Sequence, residues 1–191
     1  MLSVKNVFMN RIHDEMDSSQ FDMALCSVSP MHSQITSLGV LSYYLLERRA
    51  AGIYISITRP YFYMERLLTN EGVPLTSLRT IDALGRDSEG HANSKNARAS
   101  LICENLSNIV REMLEKDPSI QFILVDNVSG LLPYASPSSI VQFIDDIHEM
   151  MMVRSSLQVI LLVDHEIDDL VMKGIQGLCD RQFDISPGMF R

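Results

Sequence analysis

The segment FDMALCSV, residues 21–28, runs directly into SPMHSQIT, residues 29–36. The first eight residues are apolar apart from Asp22 and Ser27, and they predict a strand that is buried on both faces. The next eight begin with turn residues and end where an apolar pattern with helical spacing starts. They therefore predict a tight loop and the first turn of a helix. A strand that enters a helix through a short loop is the first half of a βαβ unit.

The rest of the chain repeats this alternation. Strands are predicted at residues 52–58, 78–82, 120–126, 157–163 and 181–185, and helices at residues 36–50, 97–116 and 168–179, after Pro60 and from Ser136. Buried parallel strands that alternate with helices are covered on both faces. We therefore expect a three-layer α/β/α sandwich with a mostly parallel sheet, as one domain over residues 1–191. We expect residues 1–19 to form a lead-in segment with one or two helical turns, and residues 85–96 to form a mobile loop.

The composition argues against several classes of function. Asp and Glu outnumber Lys and Arg by 24 to 16, which gives a net charge of −8. An acidic chain without a basic cluster repels phosphate backbones and anionic headgroups, so we expect no nucleic acid and no membrane as partner. No apolar run approaches the roughly 20 residues that span a bilayer. Three separated cysteines without a C-x-x-C pair favour reduced thiols, and we expect a cytoplasmic protein.

Ligands of parallel α/β sheets bind at the carboxyl ends of the strands. Four such ends carry polar residues here, at residues 29–36, 56–59, 126–129 and 164–166. Asp126 ends an apolar strand, and capping of the following loop is its ordinary structural interpretation. Thr36 stands in the first turn of a helix, where hydroxyl residues are common. His165 and Glu166 are a candidate acid–base pair, but no nucleophile accompanies them, which favours solvated loop residues.

The order of these segments resembles the KaiC/RecA-like P-loop ATPase domain over residues 20–186. The segments that carry the resemblance are AGIYIS (51–56), FILVDNVSGL (122–131), VILLV (159–163) and CDRQFDI (179–185). The resemblance implies a phosphate-binding loop of the pattern G-x-x-x-x-G-K-[ST] after the first strand, and an aspartate for Mg²⁺ at Asp126. It also implies the strand order 5-1-4-3-2, with the first strand beside the strand near Leu157.

The loop departs from that pattern. On the alignment with the family, Ser29 and Gln34 stand where the family has glycine, and Ile35 stands in place of the lysine. The hydroxyl residue, Thr36, is kept. Pro30 removes one backbone N–H, and an apolar side chain replaces the cation that neutralises phosphate. We therefore expect residues 29–33 to form a loop that is filled by its own side chains.

The general base of the family's reaction is also missing, because the glutamate pair of the family falls near Thr58 and Arg59. We expect a pseudo-ATPase that keeps the fold without hydrolysis and acts as a binding or regulatory module. Association of RecA-like domains side by side implies a protein partner or self-association. The vestigial nucleotide-site positions are Ser29, Gln34, Ile35, Thr36 and Asp126.

Two alternatives stay open. In the first, the protein binds nucleotide without efficient hydrolysis, with Mg-ATP as ligand and Thr36 and Asp126 as the metal contacts; otherwise no cofactor is expected. In the second, it is an active NTPase with an unconventional loop, or it uses unrelated chemistry at residues 164–166. Phosphate release above background would favour the second alternative.

Two groups of apolar residues are candidates for a contact surface. The aromatic run at residues 61–63 cannot face inward as a whole on one helix, so one or two of its rings should be exposed. Met9, Met16 and Met31 fit no core stripe and are candidates for an interface.

Overall fold

Six parallel strands form one sheet in the computed structural model, which describes residues 4–18, 20–83 and 102–185. The strands are β1 (Met23–Val28), β2 (Ala51–Ser56), β3 (Leu78–Asp82), β4 (Ile120–Asp126), β5 (Gln158–Asp164) and β6 (Arg181–Ile185). Their order across the sheet is β3-β2-β4-β5-β1-β6, and every neighbouring pair is parallel. The predicted α/β class with a mostly parallel sheet is therefore confirmed.

Helices cover both faces of this sheet. They are α1 (Val4–Ser18), α2 (Ser33–Ser42), α3 (Tyr61–Asn70), α4 (Ile102–Lys116), α5 (Pro137–Met152) and α6 (Asp169–Gln176). The first three pack into one apolar cluster and the last three into another. Successive side chains of β4 alternate between the two clusters, as the pleat requires. Phe122 and Leu124 join the first cluster, and Ile123 and Val125 join the second.

The predicted strand order 5-1-4-3-2 is wrong in detail. The short strand β3 pairs with β2 at one edge, with Gly52 opposite Leu78, and β6 pairs with β1 at the other edge. The predicted order contains five strands, whereas the sheet has six, so the prediction leaves out one edge strand. The narrower prediction that β1 lies beside the strand near Leu157 is confirmed, because Met23 lies opposite Val159.

The helix after β1 begins three residues before its predicted start. The backbone N–H groups of His32 and Ser33 donate to the carbonyl of Ser29 at 2.9 and 3.1 Å, which closes the turn early. The loop between β1 and α2 therefore spans only residues 29–32. At its other end α2 runs on into a π-helical turn at Tyr43–Glu47.

The lead-in segment forms a full helix rather than one or two turns. α1 has 15 residues and packs against α2, with Ile12 and Met16 only 2 % and 4 % exposed. Met9 packs against the same apolar cluster. The predicted interface role of Met16 is therefore wrong, because Met16 is buried in the apolar cluster that it shares with α2, whereas the interface role of the half-buried Met9 stays a prediction. Met31, in contrast, is 89 % exposed.

The loop predicted at residues 85–96 and the first turn of the helix predicted at residues 97–116 lie outside the described residues. The helix from Ser136 is confirmed: the Ser136 hydroxyl accepts a hydrogen bond from the backbone N–H of Ser139 at 3.2 Å, and Pro137 occupies the first turn. Within the ranges that the structure describes, no helix is long and apolar enough to span a bilayer.

Candidate functional site

Asp126 ends β4 at the carboxyl edge of the sheet and is completely buried. Three hydroxyl groups donate to its carboxylate. Ser37 and Tyr54 donate to Oδ2 at 2.7 and 2.8 Å, and Ser33 donates to Oδ1 at 3.3 Å. Since a carboxylate has about four lone-pair positions, these donors take up most of its hydrogen-bonding capacity.

Ordinary helix and strand geometry brings these hydroxyls together. Ser33 and Ser37 are four residues apart in α2 and therefore share one face of the helix. Ser56 lies opposite Asp126 in the pairing of β2 with β4. Tyr54 comes two residues earlier and points to the same side of the sheet, from which its long side chain reaches the carboxylate.

The interpretation of Asp126 as the cap of the following loop is wrong. Asn127 has that role, because its Oδ1 accepts from the backbone N–H of Ser129 at 3.0 Å. The Nδ2 of Asn127 also donates to Oδ1 of Asp164 at 2.6 Å, and the backbone N–H of Asp164 donates to the Ser129 hydroxyl at 2.9 Å. These bonds tie the end of β4 to the end of β5.

Arg59 brings a cation to the same edge from the end of β2. Its Nη2 donates to the Ser33 hydroxyl at 3.0 Å, and its carbonyl accepts from the Ser56 hydroxyl. Arg59 is half-buried, whereas Ser33 and Asp126 are buried. A positive charge thus lies one hydroxyl away from the buried carboxyl.

Burial dominates the electrostatics of the site. It raises the pKa of Asp126, against the opposing effects of the Ser37 hydroxyl, the Arg59 charge and the other two hydroxyls. Burial and the neighbouring Asp126 also raise the pKa of Tyr54 well above its usual value. The phenol therefore stays protonated and remains a donor to the carboxylate.

The predicted vestigial positions differ in their surroundings. The Thr36 hydroxyl donates to the carbonyl of His32 in its own helix at 2.9 Å, so it is not among the donors to Asp126. Ile35 is half-buried and packs against the apolar cluster of α1, α2 and α3, while Gln34 is exposed. In the part of the chain that the structure describes, no three His, Cys, Asp or Glu side chains gather as a metal site would require.

The loop after β1 closes on its own groups. The Ser29 hydroxyl and Nδ1 of His32 are 2.6 Å apart, and the Ser29 carbonyl accepts the two backbone bonds that start α2. Ser33 turns inward to Asp126. The expectation of a loop filled by its own side chains therefore holds for Ser29, His32 and Ser33, whereas Pro30 and Met31 are exposed.

His165 and Glu166 are exposed at the end of β5. The Nε2 of His165 lies 4.0 Å from Oδ1 of Asp184, and both side chains have access to solvent. This placement agrees with the interpretation of solvated loop residues.

The aromatic run at the start of α3 is partly exposed, as predicted. Phe62 is 37 % and Tyr63 is 50 % exposed, and their ring centroids lie 4.0 Å apart. Tyr61 turns inward against the first apolar cluster, and burial raises its pKa to about 12. The two outward rings form a small apolar surface beside the carboxyl edge.

A separate cavity of about 350 Å³ lies between α4 and α5. It is lined by Cys103, Glu104, Ser138, Ser139, Gln142, Phe143 and Asp146. Asp146 accepts hydrogen bonds from Ser107 at 2.6 Å and from Gln142 at 3.0 Å. Burial raises the pKa of the Cys103 thiol to about 11, so at neutral pH this cysteine is a thiol and a poor nucleophile.

Sequence reasoning missed Ser33, Ser37 and Tyr54. Each had a weak signal: two serines spaced by four residues at a helix start share one face, and a single tyrosine interrupts an aliphatic strand. Those signals do not indicate which residue these side chains contact. The link to Asp126 becomes visible only when β2, β4 and α2 are placed together.

The solved structures that are similar to this chain include the following two. One is a KaiC-like protein from Pyrococcus horikoshii OT3, with a TM-score of 0.59 and 8 % identity over 85 % of this chain and 70 % of that chain. The other is an uncharacterized protein from Pyrococcus horikoshii in complex with an unknown peptide, with a TM-score of 0.65 and 13 % identity over 92 % of this chain and 82 % of that chain. No protein-family model and no curated protein matches. At these identities the likeness shows the fold alone: the chain has the α/β architecture of these two proteins, with a mostly parallel sheet covered by helices.

Proposed function

We propose that this chain is a pseudo-ATPase with a KaiC-like fold that acts as a binding or regulatory module through association with a protein. The observation that carries the proposal is that hydroxyl groups of the protein itself donate to both oxygens of the Asp126 carboxylate. In P-loop NTPases the aspartate at the corresponding strand end holds Mg²⁺. Here Ser33, Ser37 and Tyr54 hold both oxygens from within the chain.

The surroundings of the loop support the proposal independently. Phosphate binding needs inward backbone N–H groups and a lysine. Pro30 has no N–H, Ile35 packs against the apolar cluster, and Arg59 stands near the position of the family's catalytic glutamates. We propose that Ser29, Gln34, Ile35, Thr36 and Asp126 are vestigial positions and that the protein works without a cofactor.

Calorimetry with Mg-ATP, together with an assay for phosphate release, tests the proposal. We expect no binding in the micromolar range and no phosphate above the blank. Micromolar binding without phosphate release would replace the proposal with a nucleotide-binding protein that lacks turnover. Phosphate release that is lost in Asp126→Asn would replace it with an active NTPase.

Ile35→Lys is a sharper probe of the loop. If the loop had kept a phosphate-binding shape, the added cation would improve nucleotide affinity. We expect no gain, because the side chain at this position points to the apolar cluster rather than to Asp126. Gln34→Lys is the matched control, since it adds the same charge at an exposed neighbouring position.

The exposed pair Phe62–Tyr63 is the surface that we propose for the partner. Aromatic side chains are enriched at protein interfaces, and the uncharacterized protein from Pyrococcus horikoshii was solved in complex with a peptide.

Co-purification should recover a protein with the native chain and lose it with Phe62→Ser/Tyr63→Ser. Met152→Ser removes an apolar side chain of 68 % exposure elsewhere and should not affect recovery. Light scattering on the pure protein distinguishes self-association, and equal recovery with both variants would contradict this surface.

A further inference from the structure

The side chain of Arg59 links the loop after β1 to the end of β4. Its Nη2 donates to the Ser33 hydroxyl at 3.0 Å, and the same hydroxyl donates to Oδ1 of Asp126 at 3.3 Å. Because the hydroxyl accepts from the cation and donates to the anion, the two bonds polarise each other in one direction. Guanidinium, hydroxyl and carboxylate thus form a continuous chain.

A buried carboxylate needs a compensating charge. Isolated burial of an ion is costly, and removal of one member of a buried pair leaves the other uncompensated. Asp126 is completely buried, and among the described residues Arg59 is the cation whose charge favours its ionised form. Arg59 is therefore the internal counter-ion of the site.

We propose that the bridge Arg59–Ser33–Asp126 is a closing contact of the site, which we call the Arg59 lock: it puts a side chain of the protein in the place of an external cation and holds residues 29–33 closed. This inference rests on the proposed function, because it explains how the site stays closed to Mg-nucleotide. Arg59 acts here as a positioning residue, through Ser33.

The lock joins three segments that meet at the carboxyl edge. Ser33 is the first residue of α2, and its backbone N–H donates to Ser29, so the loop moves with it. The backbone carbonyl of Arg59 accepts from the Ser56 hydroxyl, which fixes the backbone of Arg59 to the end of β2. Loss of the guanidinium removes the bond that ties the loop to this anchor.

Native-state hydrogen exchange measures how easily the loop opens around that bond. In Arg59→Gln we expect the amides of His32 and Ser33 to exchange at least about threefold faster, because local opening of the loop costs less free energy. Arg59→Lys keeps the charge and one donor and should restore much of the protection. Arg66→Gln is the matched control, because Arg66 is exposed on α3 and bonds no residue of the site.

Ser33→Ala supplies a second variant that leaves both charges in place. It removes the bridging oxygen, so the amides near the start of α2 should again exchange faster. Unchanged loop exchange in a folded Arg59→Gln or Ser33→Ala protein would overturn the lock.

A double-mutant cycle with Asp126→Asn gives a readout that does not depend on the loop. Asn at position 126 removes the buried charge, so Arg59→Gln should cost less in that background. We expect the unfolding equilibrium constant of the double variant to be at least about threefold smaller than independent effects predict. Independent effects would overturn the lock and leave the proposed function standing, whereas nucleotide binding by the native chain would contradict the proposed function and leave this coupling unchanged.

Discussion

At the scale of the residue, Asp126 has the most constrained environment in the site. Full burial disfavours its charged form, while three hydroxyl donors and the nearby Arg59 favour it. Burial is the larger effect, so the pKa of Asp126 is raised. The folded chain therefore holds a proton at this position more readily than the unfolded chain does.

This difference predicts a pH dependence of stability. The unfolded pKa of an aspartate is about 3.9, and the folded pKa of Asp126 is higher, so the native state binds more protons between the two values. The free energy of unfolding should fall there as the pH rises, by at most about 1.4 kcal/mol per pH unit. Asp126→Asn removes the titration. In urea unfolding at a series of pH values, the stability of the native chain minus that of Asp126→Asn should decline from acid to neutral pH; a difference that rises would contradict this account.

Tyr54→Phe removes one hydroxyl donor from the buried carboxylate. We expect a loss of about 1–3 kcal/mol in the free energy of unfolding, because the acceptor stays buried with fewer partners. Tyr63→Phe is the matched control: it removes the same atom from a half-exposed ring and should change stability by less than about 0.5 kcal/mol. Urea unfolding measures both, and equal losses would show that the Tyr54 hydroxyl bond adds nothing.

The position of Asp126 at the end of an apolar strand could be predicted from the sequence, although that local pattern alone indicated a loop cap. The hydrogen-bond partners of Asp126 could not be predicted in this way. The three donors are 93, 89 and 72 residues away along the chain, and serine or tyrosine at such distances carries no signal of contact. In the sequence, Arg59 stands near the position of a glutamate in the family that the chain resembles, whereas its bond to Ser33 depends on how α2 packs against β2.

At the scale of the element, Gly52 allows β2 and β4 to carry a large ring between them. A Cβ at this position would lie 2.2 Å from Cε1 of Phe122. The Phe122 ring is completely buried and stacks on Tyr44 of the π-helical turn, with 4.4 Å between the ring centroids. The ring therefore has no free space into which it can move.

Gly52→Ala should lower the free energy of unfolding by about 3 kcal/mol, at the upper end of what overpacking costs. Gly177→Ala is the matched control, since a Cβ there meets no atom within 4 Å and the backbone φ of −69° suits alanine. Thermal unfolding compares the two variants. Phe122→Leu in the Gly52→Ala background should recover part of the loss, and a Gly52→Ala protein as stable as Gly177→Ala would contradict the close approach.

Periodicity predicted the strands and most helices because each has enough apolar residues on one face. It underestimated α1, whose buried residues Ile12 and Met16 stand among polar and charged neighbours. It also missed the π-helical turn at Tyr43–Glu47, where the tyrosines pack into the first apolar cluster. Both features depend on surfaces that only the packed molecule supplies.

At the scale of the whole molecule, the sheet has long central strands and short edges. β4 and β5 have seven residues each, and β3 and β6 have five. Side chains of the central strands are almost all buried, whereas β6 buries mainly Phe183. Stability should therefore be unevenly distributed across the sheet.

Amide hydrogen exchange followed by NMR should reveal this gradient. We expect the amides of β4 and β5 to exchange at least about tenfold more slowly than those of β3 and β6, because central strands open only with the global transition while edges open locally. Equal protection of β6 and β4 would show that the edge is stabilised by something other than its pairing with β1.

The class of fold followed from the sequence because alternating buried strands and helices leave few architectures open. The order of the edge strands did not follow, since a short strand such as β3 pairs on one side only and its neighbour is chosen by tertiary packing. Function is harder to predict than the fold. Solved structures that are 8 % and 13 % identical share the architecture, but the chemistry of a site depends on single side chains.

The phenol of Tyr54 also gives the protein an optical property. The chain has no tryptophan and six tyrosines, so its ultraviolet emission comes from phenol rings. A phenol that donates to a carboxylate, as Tyr54 does to Asp126 at 2.8 Å, loses its proton to that carboxylate in the excited state and emits weakly as tyrosine. Release of this bond on unfolding should brighten the emission, and Tyr54→Phe should remove that part of the increase. The buried site therefore carries its own unlabelled fluorescent reporter.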